Sequence, residues 1–241
     1  MEKQIEAMTS AQEKLYEEID AIAKDRQLYA NPYKPIYDGI GDISAYINSP
    51  LKIMWLLKES YDRDKQGNIG YGDWCVYEPF HTDDAWKIMT YKAMTYILYG
   101  YEHNLYWKTL PNIRDQKDLI NILDSIAYIN LNKMPAKQHS RSNDYDIYEQ
   151  YQIWKDIINK QINVYSPDVI IMGGTKRFFD FGENKLSHVK TLGNVKKVEI
   201  YKYNDRWLLS AHHPSRYTEE YIDGLISALR FVSQQIKSTN S

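Results

Sequence analysis

With 241 residues, the chain is long enough to bury the core of one large domain. Its formal net charge of −2 argues against a protein that coats nucleic acid through bulk charge. No apolar run approaches the ~20 residues of a membrane-spanning helix, and the polar N-terminus has no signal-peptide apolar region. The single cysteine, Cys75, excludes an internal disulfide framework and a four-cysteine metal site. We therefore expect a cytoplasmic protein without a membrane partner.

The first predicted element is an amphipathic helix over residues 1–24. Its apolar side chains recur on one stripe that only Gln12 interrupts. An irregular connection containing Pro and Gly follows, and the apolar run Lys52–Leu57 then predicts a strand covered on both faces. The remaining predicted elements are a helix over 84–99, a strand over 125–131, a helix over 147–162, a strand over 169–172, a hairpin of 195–203 with 206–211, and a helix over 218–236 that Thr218 caps.

Strands that alternate with helices predict a three-layer α/β/α architecture with a mainly parallel central sheet. No repeat, low-complexity segment or linker divides the chain. We predict a single α/β domain over residues 46–241, preceded by an N-terminal helical extension over residues 1–45. The sequence leaves open whether that extension covers the sheet or docks a partner.

Polar residues stand at the carboxyl ends of four predicted strands. In an α/β sheet these ends meet at one edge, where ligands bind. A carboxylate, an amide, backbone donors and an imidazole would converge there, which suits a site that grips a planar heterocycle and stabilises charge as a bond to it breaks. The four segments are Lys58–Asp62, Asn130–Lys133, Gly173–Lys176 and His212–Arg216.

The last of these segments is the most informative. The apolar run that ends at Ala211 stops abruptly at His212-His213-Pro214. Pro214 fixes its own φ and favours an extended His213, so the imidazole is presented in a defined direction. Neighbouring residues of an extended chain point to opposite sides, so we assign His213 to the pocket and His212 to a structural role.

The order and spacing of these segments resemble the uracil-DNA glycosylase superfamily. The family signature is a strand ending in a Gly-Gln-Asp-Pro-Tyr-like loop, a strand ending in Asn, an apolar strand ending in Gly, and a His-Pro-Ser loop before a helix. The resemblance covers roughly residues 50–235. It implies a uracil-DNA glycosylase-like fold and a hydrolase that cleaves the N-glycosidic bond of a deaminated base such as uracil in DNA.

The resemblance assigns roles to matching positions in this chain. Glu59 takes the place of the catalytic carboxylate that orients water or offsets positive charge on the sugar. His213 matches the catalytic imidazole that hydrogen-bonds the base as it leaves as an anion. Asn130 matches the amide that reads the base edge, and Tyr61 matches the aromatic residue that excludes thymine.

Two further pairs complete the expected substrate pocket. Gly173 and Gly174 match the glycine that ends the third strand, where backbone donors would face a ligand. The family also stacks an aromatic residue on the base from the loop after the first motif. Tyr71 or Trp74 can take that place.

Contacts to a nucleic-acid strand are expected from the last loop and from scattered basic residues. The resemblance implies that Pro214 and Ser215 contact the backbone phosphate of the nucleic acid. It also implies that Arg216 or Tyr217 is the wedge residue that enters the base stack. If the basic loops share one rim, they make a mildly basic mouth on a neutral body; the same charges also fit scattered, solvated side chains. The basic positions are Lys133, Lys137, Arg141 and Lys176.

The first motif departs from the family pattern. Glu59 in place of Asp moves the carboxylate by about one methylene, and a misplacement near 1 Å costs on the order of 10²-fold in rate. Leu57 and Ser60 replace the family's Gly and Pro. Lys58 in place of Gln puts a cation either beside the leaving base or outside the pocket.

Two alternatives to a DNA glycosylase stay open. One is a catalytically inactive relative that binds a nucleobase, nucleotide or nucleic acid in the same cleft, which the degenerate first motif favours. The other is an enzyme acting on free nucleosides, which the modest net charge favours. Neither a nucleotide-binding lysine motif nor a metal-ligand histidine spacing occurs, so we expect no cofactor and no metal. We expect a monomer whose partner is DNA.

Overall fold

A computed structural model describes residues 1–28, 33–61, 70–75, 77–136, 142–182 and 186–239. Its α-helices are α1 (Glu2–Asp25), α2 (Ile43–Asn48), α3 (Tyr77–Phe80), α4 (Met89–Glu102), α5 (Asp144–Tyr165) and α6 (Glu219–Thr239). Short 3-10 segments lie at Ala85–Lys87, Trp107–Thr109, Lys117–Ser125, Lys176–Phe178 and Pro214–Arg216. None of the helices within these ranges is both long and apolar enough to cross a membrane.

The described strands form one seven-stranded mixed sheet. They are β1 (Gly39–Ile40), β2 (Ile53–Leu57), β3 (Ile126–Asn130), β4 (Val169–Gly173), β5 (Ser187–Leu192), β6 (Val198–Tyr203) and β7 (Arg206–Ala211). Their order across the sheet is β1-β3-β2-β4-β7-β6-β5. The four central strands pair in parallel, whereas β1, β6 and β5 join antiparallel. The predicted α/β class is confirmed, but the expectation of a mainly parallel sheet fits only its centre.

Side chains of the central strands alternate between two hydrophobic layers. On β2, Ile53, Trp55 and Leu57 pack with residues of α4 and α6. Met54 and Leu56 pack with residues of α1 and α5 on the opposite face. A strand covered on both faces needs this continuous apolar run. Its burial, at roughly 25 cal/mol per Å² of apolar surface, holds the sheet between the two helical layers.

Helix α1 belongs to the second of these layers. Leu15 and Ile19 are buried and join the hydrophobic cluster that α5 shares with the sheet. Gln12, the polar break in the apolar stripe, accepts from Ile40 N–H at 2.8 Å and donates to Ile40 O at 3.0 Å. It therefore satisfies backbone groups at the β1 edge of the sheet. The segment predicted as a helical extension over residues 1–45 thus supplies both a layer helix and an edge strand to the domain.

Most predicted elements are present with shifted ends. The Thr218 cap is confirmed, since its hydroxyl accepts from Tyr221 N–H at 3.2 Å as α6 begins. The β6–β7 hairpin turns at Asn204-Asp205, and its first strand begins at Val198, later than predicted. Strand β5 has no clear sequence signal, because most of its side chains are exposed and it lacks an apolar run.

Candidate functional site

The carboxyl ends of four parallel strands lie side by side. Because β3, β2, β4 and β7 are consecutive in the sheet, Asn130, Leu57, Gly173 and Ala211 end neighbouring strands. Pairing continues beyond them, and Leu131 N–H donates to Leu57 O at 2.9 Å. The four segments that the sequence singles out therefore share one edge of the sheet.

The turn that follows His213 holds its ring in one tautomer. Nδ1 of His213 accepts from Ser215 N–H at 3.2 Å and lies 3.0 Å from the Ser215 hydroxyl. A ring nitrogen that accepts from a backbone N–H carries no proton, so the neutral ring is protonated at Nε2. Nε2–H is then the donor that this imidazole can offer to a ligand.

The surroundings of His213 keep it uncharged. Burial, followed by the nearby Lys58 ammonium, lowers the pKa of His213 from 6.5 to about 4. At neutral pH the ring is therefore a neutral hydrogen-bond donor and not a charged acid. Such a donor can stabilise an anion without first transferring a proton to it.

Lys58 lies on the His213 side of the edge. Its ammonium pairs with Asp144 Oδ1 at 3.0 Å and stands 5.5 Å from the centre of the Phe178 ring. Arg177 pairs with the other oxygen of the same carboxylate. Burial works to raise the pKa of Asp144, but the two cations outweigh it and the net shift is downward. The cation of the first motif therefore lines the cleft beside His213 while it is paired with Asp144.

A cleft of about 410 Å³ opens beside His213, and His212, for which we expected a structural role, lines it as well. Its size is in the range of small-molecule sites, and its surplus of positive charge favours an anionic ligand. Of the described residues, Glu59 and Asn130 lie outside its lining. The charged residues that line it are Lys58, Arg177, Lys197 and Glu199.

Glu59 is held by the neighbouring strand end. Its carboxylate accepts from Asn132 Nδ2 at 3.3 Å. Asn132 is itself fixed, because its Oδ1 accepts from Met134 N–H at 2.9 Å. The structure thus places Glu59 and His213 at the same edge of the sheet but not in one wall of the cleft.

Asn130 is buried at the end of β3 with an unsatisfied side chain. It is 1% exposed, and within the described part of the chain neither Oδ1 nor Nδ2 has a hydrogen-bond partner. The Tyr128 phenol is the polar group that interacts with this amide: burial raises the pKa of Tyr128 well above its ordinary value, and a weak side-chain interaction with Asn130, outside ordinary hydrogen-bond geometry, opposes that rise. An unpaired buried amide atom costs about 1–3 kcal/mol, which a ligand with a matching donor and acceptor would offset.

A buried ion pair holds the backbone of Asn130. Asp38 Oδ2 accepts from Asn130 N–H at 2.7 Å, and Asp38 Oδ1 accepts from the Lys133 ammonium at 2.7 Å. Gln161 of α5 accepts from the same ammonium at 2.8 Å and donates to Asp38 Oδ1 at 3.0 Å. Burial lowers the pKa of Lys133, and Asp38 opposes that change. We call Asp38, Lys133 and Gln161 the buried triad.

The buried triad corrects one sequence-based expectation and adds two residues. Lys133 is 0% exposed, so it does not contact a nucleic-acid strand from a basic rim. Asp38 and Gln161 carry no sequence signal for this position, since they lie 123 residues apart and both are common surface residues.

Two glycines end β4 for steric reasons. A Cβ on Gly173 would lie 2.3 Å from Leu57 Cδ2 and 3.2 Å from Cδ of Pro214, which is itself buried. Gly174 has a φ of 75°, in the left-handed region that favours glycine. Its N–H donates to Ala211 O at 2.8 Å, so this backbone donor is used within the fold, while Gly174 itself lines the cleft beside His213. The two glycines let the loop after β7 approach β4 closely.

The exposed part of the last loop is short. Ser215 and Arg216 are exposed, and Arg216 forms no ion pair with a described residue. The Tyr217 ring instead packs against Trp107 and Tyr96, at centroid distances of 6.0 and 6.3 Å. Of the two positions expected to act as a wedge, Arg216 is exposed and Tyr217 is only partly exposed.

The aromatic residues expected to contact a base are not gathered at His213. Tyr61 follows β2 and is 41% exposed. Tyr71 is 61% exposed, and it lies with Trp74 on a segment that pairs with residues 34–37. Those residues lie between it and the loop after β3, because Ile36 N–H donates to the backbone of that loop at 2.7 Å. Tyr71 and Trp74 thus belong to a neighbouring surface.

The remaining basic positions are Lys176, whose charge is paired, and Lys137 and Arg141. Lys176 pairs with Glu199 at 2.8 Å and also donates to the Tyr201 hydroxyl. Burial works to lower the pKa of Lys176, but these two partners outweigh it and the net shift is upward. Lys176 is therefore a paired cation near the cleft. Lys137 and Arg141 lie outside the described residues.

Neither a metal cluster nor a known relative identifies the site. Within the described ranges, no group of three or more His, Cys, Asp or Glu side chains could hold a metal ion. No protein-family model matches the chain, and no curated protein matches it significantly. The chemistry of the strand ends is therefore the basis for a function.

Proposed function

We propose that this protein is a DNA glycosylase-like hydrolase, with a uracil-DNA glycosylase-like fold, that removes a deaminated base such as uracil. The observation that carries the proposal is the buried, unpaired Asn130 amide at the same sheet edge as the neutral His213. One donor and one acceptor on an amide match the edge of a pyrimidine. The four adjacent parallel strand ends support the resemblance found in the sequence.

The proposed reaction divides charge between two groups at this edge. The bond between sugar C1′ and the base nitrogen breaks, and its electron pair leaves with the base. His213 Nε2–H hydrogen-bonds the base oxygen on which the negative charge gathers, and the Lys58 ammonium adds a favourable field. Water then bonds to C1′, and its proton passes to the Glu59 carboxylate or to solvent.

Entry of a base requires the edge to open. Asn130 is 1% exposed, so a base reaches its amide only when the covering side chains move. The cleft beside His213 supplies open space at the same edge of the sheet, two strands away from the end of β3. Local opening of this kind is common at ligand sites, because loops at strand ends are less stable than the sheet that carries them.

One observation favours the alternative, a non-catalytic relative that binds a nucleobase or nucleic acid. Glu59 is engaged by Asn132 at 3.3 Å and lies outside the lining of the cleft. A binding protein needs the Asn130 amide and the basic cleft but has no use for an aligned carboxylate. The role of Glu59 therefore distinguishes the two functions: the glycosylase needs its carboxylate and the binding protein does not.

Cleavage of labelled oligonucleotides tests the proposal. Single- and double-stranded substrates would each carry one uracil, hypoxanthine, xanthine or thymine mismatch, and alkali would reveal abasic sites. We expect His213→Ala to lower the rate by about 10²–10³-fold, as loss of a single donor to a developing anion does. We expect Glu59→Gln to lower it by about 10²-fold or more.

His103→Ala serves as the matched control, since His103 is exposed after α4 and does not line the cleft beside His213. Full activity in His213→Ala or Glu59→Gln would sink the assigned roles. Binding to the uracil substrate without any cleavage would shift the function to the non-catalytic relative. Cleavage of free nucleosides with no DNA binding at low salt would instead establish the nucleoside enzyme.

A further inference from the structure

A second groove lies between α4 and residues 107–114, next to the last loop. Its volume is about 520 Å³, within the range of ligand sites. Its floor is aromatic: the Trp107 ring lies 5.5 Å from that of Tyr96 and 6.0 Å from that of Tyr217. Trp107 and Tyr217 are both partly exposed. Partly exposed rings offer surfaces on which a planar group can stack.

The rim of this groove is basic. Lys108 and Arg114 are exposed, and in the part of the chain that the structure describes no carboxylate forms an ion pair with either. Cations without a carboxylate partner remain available to an anionic ligand. The charged residues that line the groove are Lys92, Lys108, Arg114 and Glu219.

The groove begins one turn along the chain from His213. Tyr217 follows His213 by one 3-10 turn, which packs on α4. At about 2.0 Å per residue, that step covers roughly 8 Å. The same length holds two to three stacked nucleotides at about 3.4 Å each. A strand with one base beside His213 therefore reaches the groove with its next nucleotides.

We propose that this groove binds the unpaired nucleotides next to the target base of a single-stranded nucleic acid. Bases stack on Trp107 and Tyr217, while Lys108 and Arg114 contact phosphates, a combination typical of single-strand sites. A duplex keeps its bases paired and stacked internally, so it can offer the groove only its phosphates. The inference rests on the proposed function for the position of the target base, and it adds the strand preference.

A double charge reversal, Lys108→Glu with Arg114→Glu, tests the rim. Fluorescence anisotropy of the full chain would follow a labelled single strand of ~12 nucleotides, and its duplex, between about 50 and 200 mM salt. The matched control is Lys3→Glu with Lys14→Glu, the same charge change at exposed positions of α1. We expect the groove variant to bind the single strand at least ~10-fold more weakly, with the salt slope smaller by about 1.4.

Replacement of Trp107 tests stacking separately from charge. We expect Trp107→Leu to bind the single strand about tenfold more weakly, as loss of one stacked base does, while Trp107→Phe keeps most of the affinity. Inorganic polyphosphate, an anion without bases, should bind both variants and the parent equally. Circular dichroism would verify that each variant folds.

Two results overturn the inference: parent-like single-strand affinity in the Lys108/Arg114 variant, or equal losses in that variant and in the Lys3/Lys14 control. These results are independent of catalysis. Groove-dependent binding without base excision would refute the proposed glycosylase activity and support the groove as a single-strand binding site. Base excision with unchanged single-strand binding in the groove variants would refute the binding role of the groove and support the glycosylase activity.

Discussion

His213 takes its chemical state from the residues around it. Ser215 N–H selects the Nε2–H tautomer, and burial together with Lys58 keeps the ring neutral. The His213-Pro214 dipeptide predicts the direction of the ring, because proline restricts the residue before it. It does not predict the protonation state, since Lys58 comes from another strand end and burial depends on the whole fold.

We predict that His213 stays neutral and Nε2-protonated above about pH 5. Its folded-state pKa is lowered from 6.5 to about 4, so the unfolded chain binds this proton first as pH falls. The stability that the neutral ring contributes is therefore complete above pH 6.5 and is lost between pH 6.5 and about 4. Nitrogen-15 NMR of the ring against pH measures both the tautomer and the pKa.

A companion variant isolates the part played by Lys58. Lys58→Met removes a positive charge and should raise the pKa of His213, although burial, the larger cause, will keep it below 6.5. Lys24→Met, an exposed change on α1, should leave it unchanged. Titration of the parent ring near pH 6.5, or a proton on Nδ1, would contradict the assigned state.

The end of β4 shows how an element positions the site. Gly173 has no side chain, so Leu57 from β2 and Pro214 from the last loop both approach its Cα closely. The sequence predicts a strand ending in glycine from the apolar run and the Gly173-Gly174 pair. Only the order of β2, β4 and β7 in the sheet determines that Leu57 and Pro214 fill the space beside Gly173.

We predict that Gly173→Ala destabilises the protein by about 1–3 kcal/mol, because the new Cβ overpacks a closed core. It would lie 2.3 Å from Leu57 Cδ2, and Leu57 is 1% exposed and cannot turn away. In a double-mutant cycle measured by urea unfolding, Leu57→Ala should offset part of this loss. Gly41→Ala, whose Cβ would meet its nearest atom at 3.8 Å, is the matched control.

The same variant reports on the functional loop. Because Gly173 also contacts Pro214, Gly173→Ala should shift the ring resonances of His213, while Gly41→Ala should not. Additive losses of stability in the Gly173/Leu57 cycle would show that the two side chains do not compete for space.

At the scale of the whole molecule, the buried triad joins three parts of the fold. Asp38 precedes β1, Lys133 follows β3, and Gln161 comes from α5. Their contacts fix the backbone of Asn130 at the proposed recognition position. Burial of an ion pair is costly unless both charges are compensated, so the three residues act as one unit.

We predict that Lys133→Met lowers the free energy of unfolding by about 3–5 kcal/mol, because it leaves the Asp38 carboxylate buried without its cation. Asp38→Asn combined with Lys133→Met removes both charges and should cost less than Lys133→Met alone. Urea denaturation at pH 7 compares the two. Lys160→Met, which removes the exposed pair with Glu18, should change stability by no more than about 1 kcal/mol.

The comparison between the two Lys133 variants decides the role of charge. If the double variant is as unstable as Lys133→Met, compensation of the buried charge is not what the pair contributes. Asn130 would then owe its position to the sheet pairing of β3 rather than to Asp38.

The sequence by itself determined the strands β2, β3, β4, β6 and β7, the four long helices, and which polar residues follow the strand ends, whereas the short buried β1 fell in a segment read as an irregular connection. These features are local, because a continuous apolar run, a 3.6-residue stripe and a His-Pro corner each act through neighbouring residues. The α/β class and the four strand ends come from these signals. The sequence also shows Gln12 as the one polar residue that interrupts the apolar stripe of α1.

Only the tertiary structure decided which polar groups are free and which are paired. Lys133 looks like a loop cation in the sequence, yet it lies buried against Asp38, and the Gly174 N–H, a candidate donor to a ligand, donates to Ala211 O instead. The aromatic groove likewise arises from α4, residues 107–114 and Tyr217, which are separate in the chain. Burial and charge pairing depend on partners brought together by strand order, so no local pattern can encode them.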